Sequence, residues 1–157
     1  MRYLKISDYS NNPPAQRYVI DGPNHHVVLD WTNIPIYRLN VDIPLKLTSQ
    51  TICDYVRFFF SHVRGRNGRF IIVENVDEIN WRENPPHGAR QTINQMTKPL
   101  KVIGQDPDGT FNLAACVVFK DSLFECIVKI DPNGLISLSN EKLLIEDMPT
   151  IDDILNH

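Results

Sequence analysis

One stretch, residues 47–73, constrains the fold more than any other, because it has the pattern of an amphipathic helix, a stop and a buried strand. Its apolar side chains recur at intervals of three and four residues: Ile52, Tyr55, Val56, Phe59, Phe60 and Val63. On a helix with 3.6 residues per turn this spacing places them on one face, which we expect to be buried. Thr48 or Ser49 can cap the first turn through a hydroxyl, and Gly65 can adopt the left-handed conformation that ends a helix.

The last third of the chain predicts the sheet on which this helix packs. Apolar runs are separated by the turn sequences Asp106-Pro107-Asp108-Gly109 and Asp131-Pro132-Asn133-Gly134, in which proline and glycine favour tight reversals. The predicted strands cover residues 100–104, 110–119, 123–130 and 135–138. We expect 110–119 to be a central strand because both of its faces are apolar. A reversal at residues 120–122 would bring Cys116 opposite Cys126.

The first third of the chain has weaker patterns of secondary structure. Residues 1–17 are polar, and residues 11–14 within them are expected to be extended or turn-like. Residues 18–21 and 25–31 are expected to form a hairpin through the turn at 22–24. Ile34–Leu39 is interrupted by Pro35, which favours at best an edge strand.

Residues 75–98 are polar and rich in proline, and the length of this stretch predicts a flexible loop with only a weak helix at 89–96. Residues 150–156 can form a terminal helical turn. Together the patterns predict a single α+β domain over residues 1–157. One main amphipathic helix would pack on a mainly antiparallel, curved sheet, a roll or partly open barrel.

Composition limits the class of protein. The apolar share of 42% and the charged share of 22% are ordinary for a soluble globular domain, and no apolar run is long enough to span a bilayer. The N-terminus has no apolar region typical of a secretory signal. The three cysteines lie in apolar surroundings, which indicates reduced thiols and a cytoplasmic protein. The net charge of −3 disfavours nucleic acid as a partner.

A cluster of cations follows the helix and is the first candidate binding site. Arg64, Arg66 and Arg69 surround two glycines in the sequence RGRNGR, and backbone N–H groups with guanidinium groups can hold an anion. Arg57 and His62, on the helix itself, would complete the polar lining of an anionic ligand pocket beneath it. The simpler interpretation is that these cations complement the C-terminal dipole of the helix.

Two aromatic residues are candidates for contact with another protein. Phe58 lies off the apolar stripe beside His62, so one flank of the helix would stay uncovered in a monomer. Trp81 lies in a polar loop beside prolines and an arginine, where it can anchor a partner or fold back over the sheet.

Signals for catalysis and for metal binding are weak. His25 and His26 are adjacent in a predicted strand, so they point to opposite faces and do not share an ion easily. No nucleophile motif is present, and Cys53, the best placed thiol, is expected to be buried in the core. The sequence therefore predicts no catalytic residue, no metal site and no cofactor, and it favours a role other than that of an enzyme.

The resulting functional hypothesis is a non-catalytic binding or protein-interaction module, whose partner is another protein or a second copy of the chain. The alternative is a small-molecule-binding α+β roll, or a small enzyme, with an anionic ligand in a pocket beneath the helix.

Overall fold

The structure is a computed structural model that describes residues 1–151. Over this range the strands are β1 (Arg2–Asp8), β2 (Ala15–Gly22), β3 (His25–Leu29), β4 (Phe70–Ile72), β5 (Lys101–Gln105), β6 (Phe111–Phe119), β7 (Ser122–Ile130) and β8 (Ile136–Ile145). The helices are α1 (Ile34–Asp42), α2 (Ile52–His62) and α3 (His87–Met96), with a short 3₁₀ turn at Val76–Glu78.

The strands form two antiparallel sheets. The small sheet has the order β1-β2-β3, and the large sheet has the order β4-β6-β7-β8, with β5 also paired to β6. The α+β class and the antiparallel pairing are therefore confirmed. The chain has three helices over residues 1–151, and neither sheet closes into a barrel within that range.

Strands β6 and β7 form the centre of the large sheet, as the apolar pattern predicts. They pair over nine residues, and Leu113, Val117 and Val128 are at most 1% exposed. Side chains on one face of these strands pack with Ile52 and Val56 of α2. Side chains on the opposite face pack with residues of the 3₁₀ turn and α3. Both faces are thus covered, which explains why β6 is apolar on both sides.

Helix α2 has the predicted buried face, but its ends differ from the prediction. The N-cap residue is Thr51, and its side chain makes no capping hydrogen bond. The chain leaves the helix at Val63 in an extended conformation, so the prediction that Gly65 ends the helix is wrong. Gly65 and Gly68 instead exchange backbone hydrogen bonds across a tight turn, in which Gly68 has the positive φ of 138°.

One prediction for the flanking segments is wrong. Residues 34–39 belong to helix α1, because Pro35 lies in the first turn, where its missing N–H would have no helical partner. Residues 2–8, for which the sequence predicts no element, form strand β1 through pairing with β2. The weak helix predicted at 89–96 is confirmed, because α3 covers these residues.

The hairpin between β6 and β7 also differs in register by one residue. Cys126 lies opposite Ala115, and Cys116 lies opposite Glu125, so the predicted cysteine pair is not opposed. The reversal places Lys120 at a positive φ of 56° and needs only two residues between the strands. The terminal helical turn expected at 150–156 lies largely outside the described residues.

The small sheet is covered on one face only. Tyr18 and Ile20 of β2 and Val27 and Leu29 of β3 pack against the core that contains α2. Strand β1 stays largely exposed along its length. Within residues 1–151 no helix is both long enough and apolar enough to cross a membrane.

Candidate functional site

Two cavities border β4 and a third adjoins them beyond its N-terminal end; together they form one depression, called here the β4 trough. The first, of about 260 Å³, lies between α2 and β4, the second, of about 170 Å³, lies along β4, and the third, of about 440 Å³, lies beside the turn between β6 and β7. The first two share Arg69, Ile71 and Glu78, and the last two share Lys120, Thr150 and Ile151. The trough therefore runs along β4 and past its N-terminal end.

The backbone of β4 exposes hydrogen-bonding groups toward this trough. The Val73 N–H donates to the Cys116 carbonyl at 2.9 Å, so Val73 is a hydrogen-bonded pair position on β6. Because such positions alternate in an antiparallel ladder, the N–H and C=O groups of Phe70 and Ile72 point away from β6. No other strand within residues 1–151 pairs with that edge.

An ion-pair network holds the end of the trough nearest α2. The Arg57 guanidinium donates to both carboxylate oxygens of Glu74, at 3.1 and 2.9 Å, and also to Asp54 at 2.9 Å. The Leu100 N–H donates to the same Glu74 carboxylate at 2.9 Å. These hydrogen bonds, chiefly the one from Arg57, lower the pKa of Glu74, and the bond to Glu74 raises the pKa of Arg57. The charge of Arg57 is therefore already balanced.

The middle cavity of the trough is lined by two cations, Arg69 and Lys120, and by the carboxylate of Glu78. The Arg69 Nε–H donates to the Phe60 carbonyl at 3.2 Å, which holds this guanidinium at the C-terminal end of α2. Lys120 lies over the ring of Phe119, with its Nζ 5.4 Å from the ring centroid. The Glu78 carboxylate accepts the Glu74 N–H at 2.7 Å.

His62 lies in a separate place, enclosed by four aromatic rings that we call the aromatic box. Its ring centroid is 4.8 to 6.4 Å from those of the surrounding residues, Tyr3, Tyr18, Trp31 and Phe58. Its Nε2 is hydrogen-bonded to the Tyr3 hydroxyl at 2.9 Å, and its buried Nδ1 has no hydrogen-bond partner. Burial, and then the nearby charge of Arg69, lower the pKa of His62.

The remaining predicted cations lie apart from each other. The Arg64 guanidinium lies over Trp31, 5.2 Å from the ring centroid, and the Arg64 backbone N–H donates to the Trp31 carbonyl. Arg66 is exposed at the tip of the glycine turn. Of the five predicted ligand-binding residues, the structure brings only Arg57 and Arg69 to one depression.

The two aromatic contact candidates are both half-buried. Phe58 packs edge-on against the ring of Tyr3, at 6.1 Å between centroids, so β1 lies over the flank of α2 that the sequence leaves uncovered. The Trp81 Nε1–H donates to the Val76 carbonyl at 3.4 Å, and its ring packs on the core beneath the 3₁₀ turn. This placement corresponds to the interpretation in which Trp81 folds back over the sheet.

The described residues contain little nucleophilic or metal-binding chemistry. All three cysteines are free, and burial raises the pKa of each, to about 12 for Cys126, so the thiols stay protonated at neutral pH. His26 binds Asp21 through Nδ1 at 2.6 Å. In the range 1–151 no group of three or more histidine, cysteine or carboxylate side chains is placed to hold a metal ion.

Sequence reasoning missed the main elements of the trough. Glu74 meets Arg57 across 17 positions of sequence, and Lys120 reaches the depression only through the pairing of β6 with β4. Neither residue lies in a local motif that could have indicated the site. The apolar run at residues 70–73 predicts a strand, but the open edge of that strand follows from the order of strands in the sheet.

Comparisons of the chain with protein-family models, with curated proteins and with solved structures found no match. The function is therefore argued from the geometry of the trough.

Proposed function

We propose that the protein is a non-catalytic binding module that takes an extended polypeptide segment of a partner protein along the outer edge of β4. The observation that carries this proposal is the unpaired edge of β4 inside a continuous trough. Proteins commonly bind extended peptides by adding them as a strand to such an edge. The outward groups of Phe70 and Ile72 supply main-chain hydrogen bonds, and the cavities on either side take alternate side chains of the ligand.

The charges along the trough support a preference for an acidic ligand. Glu74 balances Arg57 at one end, whereas Lys120 borders both the middle cavity and the cavity beside the turn between β6 and β7. A carboxylate of the bound segment would therefore lie beside Lys120. Such rim charges contribute mainly to specificity and to the rate of association.

The test uses the peptide acetyl-Asp-Val-Glu-Val-Asp-amide and the ¹⁵N-labelled full chain. Peptide addition is expected to shift the amide signals of Phe70 and Ile72, and Lys120→Glu is expected to weaken binding about tenfold, as for the loss of one close ion pair. Lys142→Glu is the matched control, because it makes the same charge change on an exposed residue of β8.

Absence of shifts at Phe70 and Ile72 in every sample, or equal weakening by the two lysine variants, would contradict the proposal.

A second candidate function is the binding of a small anion in an α+β roll, in which α2 lies across a curved sheet. The cavity between α2 and β4 favours it, because Arg57 and Arg69 both border that cavity. The pairing of Arg57 with Glu74 weakens this candidate, because the charge of Arg57 is already balanced. Citrate and inorganic phosphate are suitable probes in a thermal-shift assay, and a rise in Tm that Arg69→Gln abolishes would favour this candidate over the peptide.

The cellular compartment also belongs to the proposal. The three free, protonated thiols support a reducing environment and hence the cytoplasm.

A further inference from the structure

The outer face of the small sheet is a second surface, distinct from the β4 trough. Strand register places its side chains in four rows across the sheet. The rows are Arg2, Asp21 and His26; Leu4, Val19 and Val28; Ile6 with Arg17; and Asp8 with Ala15. The ion pairs that Asp21 makes with Arg2 and His26 show that the first row shares one face.

The second row and Ile6 make this face apolar and open. Leu4 is 37% exposed, and Ile6 and Val28 are each 53% exposed. The opposite face of the same sheet packs on α2, so these side chains have no cover among residues 1–151. An apolar row between two charged rows resembles the centre and rim of a protein interface.

We propose that this face binds the same face of a second copy of the chain. The arrangement of charges supports this occupant. A two-fold axis along the apolar row sets Leu4, Val19 and Val28 against their own copies and reverses the order of the rows on either side of it. Asp21 then faces Arg17 of the second copy, and Arg17 faces Asp21 of the second copy, so each acidic group meets a basic one.

Asp30 adds to the same complementarity. It follows β3 by one residue, at the end of the sheet where Arg17 lies, and the reversed arrangement brings it toward His26 of the second copy. Hydrogen bonds from Thr32 lower the pKa of Asp30, so its carboxylate is ionised at neutral pH. If the two-fold axis ran along the strands instead, Asp21 would face Asp21 of the second copy, and these like charges would disfavour association.

The size of the face sets the strength of the association. Three strands of about seven residues span roughly 14 by 23 Å, or about 330 Å² on each copy. Stable interfaces bury about 800 Å² on each partner. The dimer is therefore weak and forms reversibly as the protein concentration rises.

Sedimentation equilibrium of the full chain over about 10 µM to 1 mM tests the proposal in the range expected for an interface of this size. The wild type is expected to shift from monomer toward dimer, and Val28→Lys is expected to stay monomeric. Val41→Lys is the matched control, because Val41 is 79% exposed on α1 and lies outside the face. This control should associate as the wild type does.

A second pair of variants tests the two-fold arrangement. Arg17→Glu places a carboxylate opposite Asp21 of the second copy and is expected to weaken association about tenfold. Arg38→Glu, on an exposed residue of α1, is expected to leave it unchanged. Circular dichroism checks that each variant is folded. A wild type that stays monomeric at 1 mM, a dimer that persists in Val28→Lys, or equal effects of the two arginine variants would overturn the proposal.

Discussion

The two sheets differ in how many of their faces are covered, and this difference separates the stabilising part of the molecule from its contact surfaces. Leu113, Val128 and Ile130 in the large sheet are completely buried, with α2 on one face and the 3₁₀ turn and α3 on the other. The small sheet packs on α2 through one face and exposes Leu4 and Val28 on the other. Both candidate interaction surfaces therefore lie where coverage ends, at the outer edge of β4 and on the outer face of the small sheet.

Helix α2 connects the two regions because it is apolar on more than one side. Ile52 and Val56 pack on the large sheet, whereas Phe58 and His62 contact Tyr3 of the small sheet. The stripe of α2 is thus continuous with the aromatic box. The position of the small sheet depends on the packing of its inner face against the core and on the hydrogen bond between Tyr3 and His62.

The largest expected effect compares one substitution in the two sheets. Leu113→Ala leaves a cavity at a fully buried position and should lower the free energy of unfolding by about 2–5 kcal/mol. Leu4→Ala removes a partly exposed side chain and should cost less than about 1 kcal/mol. Urea unfolding followed by far-UV circular dichroism measures both. Equal losses would show that the small sheet is as tightly packed as the large one.

An intermediate effect compares two hydrogen-bonded carboxylates, Glu74 beside the large sheet and Asp21 in the small sheet. Glu74→Gln breaks the paired hydrogen bonds with Arg57 and weakens the bond from Leu100 N–H, with an expected cost of about 1–2 kcal/mol after allowance for solvent screening. Asp21→Asn removes contacts with Arg2 and His26, whose side chains are largely exposed, and should shift the unfolding midpoint less. A larger shift from Asp21→Asn would reverse the assigned roles of the two sheets.

The smallest expected effect is a pH dependence that arises in the aromatic box. The pKa of His62 is lower in the folded chain than its ordinary value of 6.5, so the unfolded chain binds the proton more readily. The stability contributed by neutral His62 is therefore fully present above pH 6.5 and is progressively lost as the pH falls through the range below 6.5.

Thermal unfolding over that pH range provides the measurement. His62→Phe keeps an aromatic ring in the box and should flatten the pH dependence of Tm. His87→Phe changes an exposed histidine at the start of α3 and should leave the dependence as in the wild type. If His87→Phe removes the pH dependence of Tm and His62→Phe does not, the dependence arises from the exposed histidine and not from the aromatic box.

The sequence by itself determined the elements with strong periodicity. The three- and four-residue spacing from Ile52 to Phe60 specifies the buried face of α2, because side chains at those intervals share one side of a helix. The apolar runs on either side of Lys120 specify β6 and β7 as neighbouring antiparallel strands, and the turn at residues 131–134 leads from β7 into its other neighbour, β8. Pro35 misled the interpretation because the same residue is compatible with an edge strand and with the first turn of a helix.

Only the tertiary structure decided which edges and faces remain open. The network of Arg57, Glu74 and Leu100 joins residues far apart in sequence, and the open edge of β4 exists because β5 pairs with a different part of β6. The small sheet likewise encloses His62 only after β1 crosses the flank of α2. Local periodicity specifies which side of an element is apolar, whereas the long-range pairing of elements determines which apolar sides and backbone edges find a partner.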